Sequence, residues 1–182
     1  MTGFVRRSRP GRALVVALAL LASACGGGKK EAEVLTCPKV ISAPDAARVS
    51  LFNPGAGHTA RDVSVSARID SADNKCSREG EHGVTVFSEI NFYAERARPT
   101  TESASLPYFV AVMDATRNVV AQESFTLNVK FLPAEGYRML PAEKITTHLP
   151  LKTAAAGDSF TLIVGFQLTP EQLAFNRAQH PQ

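Results

Sequence analysis

The sequence predicts an all-β fold: an immunoglobulin-like antiparallel β-sandwich of about seven strands with a short C-terminal helix. Three observations predict it. Apolar residues recur at every second position in several separate runs, polar turns rich in Gly, Pro, Asp or Asn divide most of those runs, and helix-start signals appear only after the last one.

The runs follow in order. Arg48–Phe52 reads as a short strand. In "DVSVSARI" (Asp62–Ile69), Val63, Val65, Ala67 and Ile69 share one face and polar side chains the other. "VTVFSEINFYAE" (Val84–Glu95) continues the pattern with Val84, Val86, Ile90 and Phe92 inward. "YFVAVMD", the turn "ATRN" and "VVAQESFTLNVKF" read as a hairpin, with Phe125, Leu127, Val129 and Phe131 on one side. Lys144–Leu151 and Phe160–Leu168 complete the set. An open single sheet would leave these apolar faces in water, so two sheets must close on each other. The expected core is Val65, Ile69, Val86, Ile90, Phe92, Val110, Phe125, Leu127, Leu162, Val164 and Phe166. In "TPEQLAFNRAQ", Thr169 is the cap, Pro170 suits the first helical position and Gln172 stands at the reciprocal position of a capping box. A short helix closing one end of the sandwich is expected there.

Residues 1–24 have a different character. Arg6, Arg7, Arg9 and Arg12 precede Ala13–Ala24, which carry no charge, the layout of a bacterial export signal. The run is too short for a membrane span, which needs about 20 apolar residues. "LLASACGGGKK" then places small residues directly before Cys25. This junction resembles the lipobox of bacterial lipoproteins, and the resemblance implies a diacylglyceryl group on Cys25 and cleavage just before it. Acyl chains contribute about 0.8 kcal/mol per buried methylene, and two or more hold a protein stably to a membrane. Gly26 after the cysteine, rather than aspartate, implies by the same resemblance the periplasmic face of the outer membrane. The expected organisation is therefore a lipoprotein signal peptide at 1–24, the lipidated cysteine and a flexible tether at 25–36, and one β-sandwich domain at 37–182.

The formal charge of the chain is +3, but removing the four arginines of residues 1–24, which include no acid, leaves −1. The basicity belongs to the signal, so no nucleic-acid partner is expected. Besides Cys25, the cysteines are Cys37 and Cys76. In an exported protein the expected pairing is a structural Cys37–Cys76 disulfide. A metal or redox pair would want a CxxC or neighbouring histidines, which the sequence lacks.

"LPYFVAVMD", "VGFQLTPEQLAFNR" and "FYAER" together resemble an uncharacterised family of proteobacterial envelope lipoproteins with a β-sandwich domain, over about Cys37 to Arg177. The resemblance implies an envelope location and assigns no activity.

Motifs for chemistry are sparse. "AGDSF" (Ala156–Phe160) holds a GDS triplet like that of some serine esterases, but Ser159 opens the last strand and Arg177 stands three residues before His180 where a DxxH would need aspartate. The expected reading is a Gly-Asp turn into a strand. "NPGAGHT" (Asn53–Thr59) lacks the GK[ST] ending of a phosphate loop. His58, His82, His148 and His180 are widely spaced, and the best metal candidate is the loop with Glu79, Glu81 and His82. No catalytic residue, metal site or cofactor is expected. The leading expectation is a non-enzymatic, membrane-anchored lipoprotein acting as an envelope structural or protein-interaction module, with an envelope protein as partner. The alternative is a small-ligand or metal-binding periplasmic lipoprotein.

Overall fold

The computed structural model describes residues 35–80, 83–134, 136–150 and 154–179. The strands among them are β1 (Lys39–Ser42), β2 (Arg48–Phe52), β3 (Val63–Glu79), β4 (Gly83–Arg96), β5 (Ser103–Asp114), β6 (Val119–Lys130), β7 (Tyr137–Met139), β8 (Glu143–Pro150) and β9 (Phe160–Phe166), followed by helix α1 (Pro170–Gln179). One sheet has the order β1-β9-β5-β6. The other runs β2-β3-β4, and both β7 and β8 pair with β4, at Tyr93–Glu95 and Gly83–Ile90 respectively. Every pairing is antiparallel except β1 with β9, which is parallel.

The expected sandwich is thus present, and its core lies between the inner faces of the two sheets. In β4, Val84, Val86, Ile90, Phe92 and Ala94 are buried, because alternate residues share a face. They meet Leu106, Tyr108 and Val110 of β5 and Leu162, Val164 and Phe166 of β9. Phe92 bridges the sheets: its ring centroid is 5.1 Å from that of Tyr108 and 5.7 Å from that of Phe166. Full burial of such side chains contributes about 1.5–3 kcal/mol each.

Three differences from the sequence reading have physical causes. First, β1 and β7 are additional strands, too short to show a period of their own, and tertiary pairing defines them. Second, β3 runs ten residues past Ile69 to Glu79. Its polar distal half shows no apolar alternation and is held by β4, which pairs with it as far as Glu79 opposite Gly83. The register shifts between Ile69 and Ser71, so Asp70 is an extra residue. This bulge moves the inward phase from odd to even positions. Cys76 therefore lies inside a strand, facing the core margin with Ala72. Third, Ile69 and Phe125 are half-buried at the core's margin.

Helix α1 caps as expected. The Thr169 amide donates to Gln172 Oε1 at 2.9 Å, and the Gln172 amide donates to Thr169 Oγ1 at 3.3 Å. Its buried residues, however, are polar, Gln172 and Asn176, while the half-buried Phe175 ring meets Phe52 edge-on with centroids 5.3 Å apart. Gln172 Nε2 donates to Ser50 O at 3.0 Å, and Asn176 Nδ2 donates to Arg48 O at 2.8 Å and Asp45 O at 3.0 Å. The helix covers the outer edge of β2, satisfying strand carbonyls that would otherwise offer a pairing template.

At the end of β4, Arg96 is 9% exposed and its guanidinium donates to Pro99 O and Thr101 O at 2.9 Å and to Leu132 O at 3.1 Å. Three carbonyls from two loops compensate its desolvation and fasten those loops to the sheet. On the outer face of β9, a Cβ on Gly165 would approach the Phe109 ring to 2.8 Å. Glycine is what lets that ring lie over the strand.

Candidate functional site

Cys25, the expected lipidation site, lies outside the described residues, as do the signal and most of the tether. The expected disulfide is present: Cys37 and Cys76 are bonded, with Cα atoms 5.8 Å apart. Their geometry follows from the Asp70 bulge, which turns Cys76 inward, and from Asn74 on the same face, whose Nδ2 donates to Pro38 O at 2.6 Å. Together these contacts hold the incoming chain against the distal half of β3. Gly157 assists there, because a Cβ at that position would collide with the Thr36 carbonyl.

The metal candidate is only partly visible. Glu79 is described, and Glu81 and His82 are not. The pairing of β4 with β8 sets Thr85 opposite His148 and brings His148 to Glu79, a proximity that sequence spacing did not reveal. Glu79 Oε2 lies 2.8 Å from His148 Nδ1 and accepts a 2.8 Å hydrogen bond from Thr85 Oγ1. The His148 contact, followed by that of Thr85, holds the Glu79 carboxyl below its ordinary range. Both side chains of the pair are more than half exposed. Among the described residues no three His, Cys, Asp or Glu side chains gather as a ligand set.

The other motifs resolve as turns. Residues Ala154–Ser159 form a 3-10 segment leading into β9, and Ser159 is exposed. In Asn53–Thr59, Gly55 adopts a φ of 73° and Asn53 Nδ2 donates to Asp62 O at 2.8 Å. A capping box between Thr59 and Asp62 closes this connection.

The sheet edges differ in protection. The β2 edge lies under α1. The β8 edge carries Lys144 and ends in Pro150, both features that discourage pairing. The β6 edge is open over Val119–Ser124, which are exposed on both faces of the strand. Val119 and Val120 are 57% and 53% exposed, and Glu123 is the only charge in that half. A turn holds the segment in place: Asp114 Oδ1 accepts the amides of Thr116 and Asn118, each at 2.9 Å, and the Thr116 hydroxyl at 2.7 Å. Sequence alternation over Phe125–Phe131 marked β6 as a strand but did not show that Val119–Ser124 would be exposed on both faces.

Among the described residues no helix is long and apolar enough to cross a membrane. No protein-family model and no curated protein matches the chain. Among solved structures the chain is similar to the Streptococcus agalactiae AgI/II polypeptide BspA variable (V) domain, at 10% identity and a TM-score of 0.22, covering 74% of this chain and 87% of that one.

Proposed function

We propose that the protein is a non-enzymatic lipoprotein, tethered through Cys25 to the periplasmic face of the outer membrane, whose sandwich binds an envelope protein by adding a strand at β6. The observation that carries the reading is the contrast between edges: α1 covers β2, whereas Val119–Ser124 of β6 is open on both faces with exposed valines. An extended partner segment laid along β6 would gain main-chain hydrogen bonds, and alternate side chains would meet Val119, Val120 and Ala121. The "LLASAC" junction supports the anchor, and the tether after it gives the domain reach.

Two variants test the two halves of the proposal. Cys25→Ala is expected to release the protein from the membrane fraction, and retention there would contradict the anchor. Val120→Lys, with the lipid intact, is expected to abolish the partner complex without changing fractionation. An unchanged complex would contradict the edge.

A further inference from the structure

A second surface, independent of the β6 edge, lies on the outer face of the five-stranded sheet. Cross-strand register places Arg48 of β2 opposite Arg68 of β3, and Arg68 opposite Tyr93 of β4. Like charges directly opposite each other are destabilising. Only Arg68 has a carboxylate partner, Asp70 Oδ1 at 3.2 Å, and among the described residues Arg48 has none. The Arg68 guanidinium carbon sits 3.9 Å from the centroid of the Tyr93 ring, which itself stacks on Tyr137 with centroids 5.8 Å apart. Stacking fixes this guanidinium, so less freedom is lost when it binds an oxyanion.

Helix α1 supplies a wall to this face through Phe175, Asn176 and Gln179, bordering an open hollow of about 400 Å³. That volume falls within the range of small-molecule sites, about 300–1,000 Å³. Glu95 lines the same hollow, two residues along β4 from Tyr93 and on the same face. The mixed charge narrows the ligand. A polyanion would meet Glu95, and a simple cation would meet two arginines. A small molecule carrying a carboxylate and an ammonium on one short frame satisfies both signs.

We propose that this hollow binds a zwitterion of the amino-acid class, as the free acid or as the same groups in a short peptide. The carboxylate spans Arg48 and Arg68, the ammonium faces Glu95, and the side chain lies toward Phe175. Charge-assisted hydrogen bonds to guanidinium forks are the strongest available here.

The test is calorimetric titration of the full chain in detergent with alanine and with alanyl-alanine. Saturable binding of at least one is expected; tighter binding of alanine identifies the free acid as the ligand, and tighter binding of the dipeptide identifies the peptide form. Arg48→Gln and Arg68→Gln should each weaken it about tenfold, with unchanged circular dichroism, and Arg48→Lys should fall between. The C-terminal amide of the preferred ligand should lose binding. Its N-acetyl form should bind weakly to the wild-type protein, and Glu95→Gln should narrow that difference. Absence of saturable binding by both probes, binding indifferent to both arginine variants, or equal binding of inorganic phosphate would overturn the proposal.

Discussion

The ring of Phe125 stacks on that of Tyr108, with centroids 5.2 Å apart and planes 22° apart. The contact ties β6 to β5 at the margin of the core, where the buried half of β6 gives way to the exposed half. Tyr108 is fully buried, and its hydroxyl reaches Glu143 Oε2 at 3.4 Å. Burial, reinforced by Glu143, pushes the phenol's ionisation well above its ordinary range, so it stays neutral. Phe125→Ala removes the stack but only part of a full burial. It is expected to cost about 2 kcal/mol in denaturant unfolding, below the 3–5 typical of a fully buried phenylalanine. A cost under about 0.5 kcal/mol, the range of ordinary surface substitutions, would contradict this placement.

Cys37 and Cys76 close a loop with a sequence separation of 39. Chain entropy gives such a cross-link about 4 kcal/mol. The paired variant Cys37→Ala/Cys76→Ala is expected to melt at a lower temperature yet keep its β-sheet circular dichroism, since β4 to β9 lie outside the loop. Free thiols at both positions in protein purified without reductant would contradict the pairing.

The contact between Glu79 and His148 is sensitive to pH. The Glu79 carboxyl titrates below its ordinary value, first through His148 and then through Thr85. A depressed folded value means that the contact stabilises the fold above the unfolded glutamate range and ceases to do so as pH falls through the folded value. Carboxyl NMR titration of His148→Ala is expected to move the Glu79 midpoint upward, with Thr85→Val doing so by less. An unmoved midpoint in His148→Ala would show that the contact is absent in solution.

The buried side chains that dock α1 are two amides, Gln172 and Asn176, beside an edge-on contact of Phe175 with Phe52. Gln172→Ala leaves Ser50 O without its side-chain donor and breaks the capping box. It is expected to cost about 1–3 kcal/mol, the range for a lost buried hydrogen bond. Leu173→Ala, at a half-buried position, should cost less. The reverse order would mean that apolar packing holds the helix.

The strands with an apolar alternation were legible because one buried face imposes a period of two, and Thr169, Pro170 and Gln172 announced the helix. Four features were not legible, three of them because they depend on which strands become neighbours. The Asp70 bulge that turns Cys76 inward is a matter of register with β4. The meeting of Glu79 with His148 needs β8 beside β4, and the Arg48, Arg68, Tyr93 row needs three strands aligned. The fourth is the open half of β6: the apolar alternation begins only at Phe125, and Val119–Ser124 carry none, so their exposure on both faces was not readable from a period of two.

The measurement that bears most directly on the proposed role is site-specific photocrosslinking in intact cells expressing the full chain. A probe at Val120 or Gln122 on the β6 edge is expected to give one discrete adduct with an envelope protein, and a probe at Glu89 on the outer face of β4 none. The adduct should disappear when Val119 is replaced by lysine. No adduct from β6, or the same adducts from β6 and Glu89, would contradict a strand-addition module.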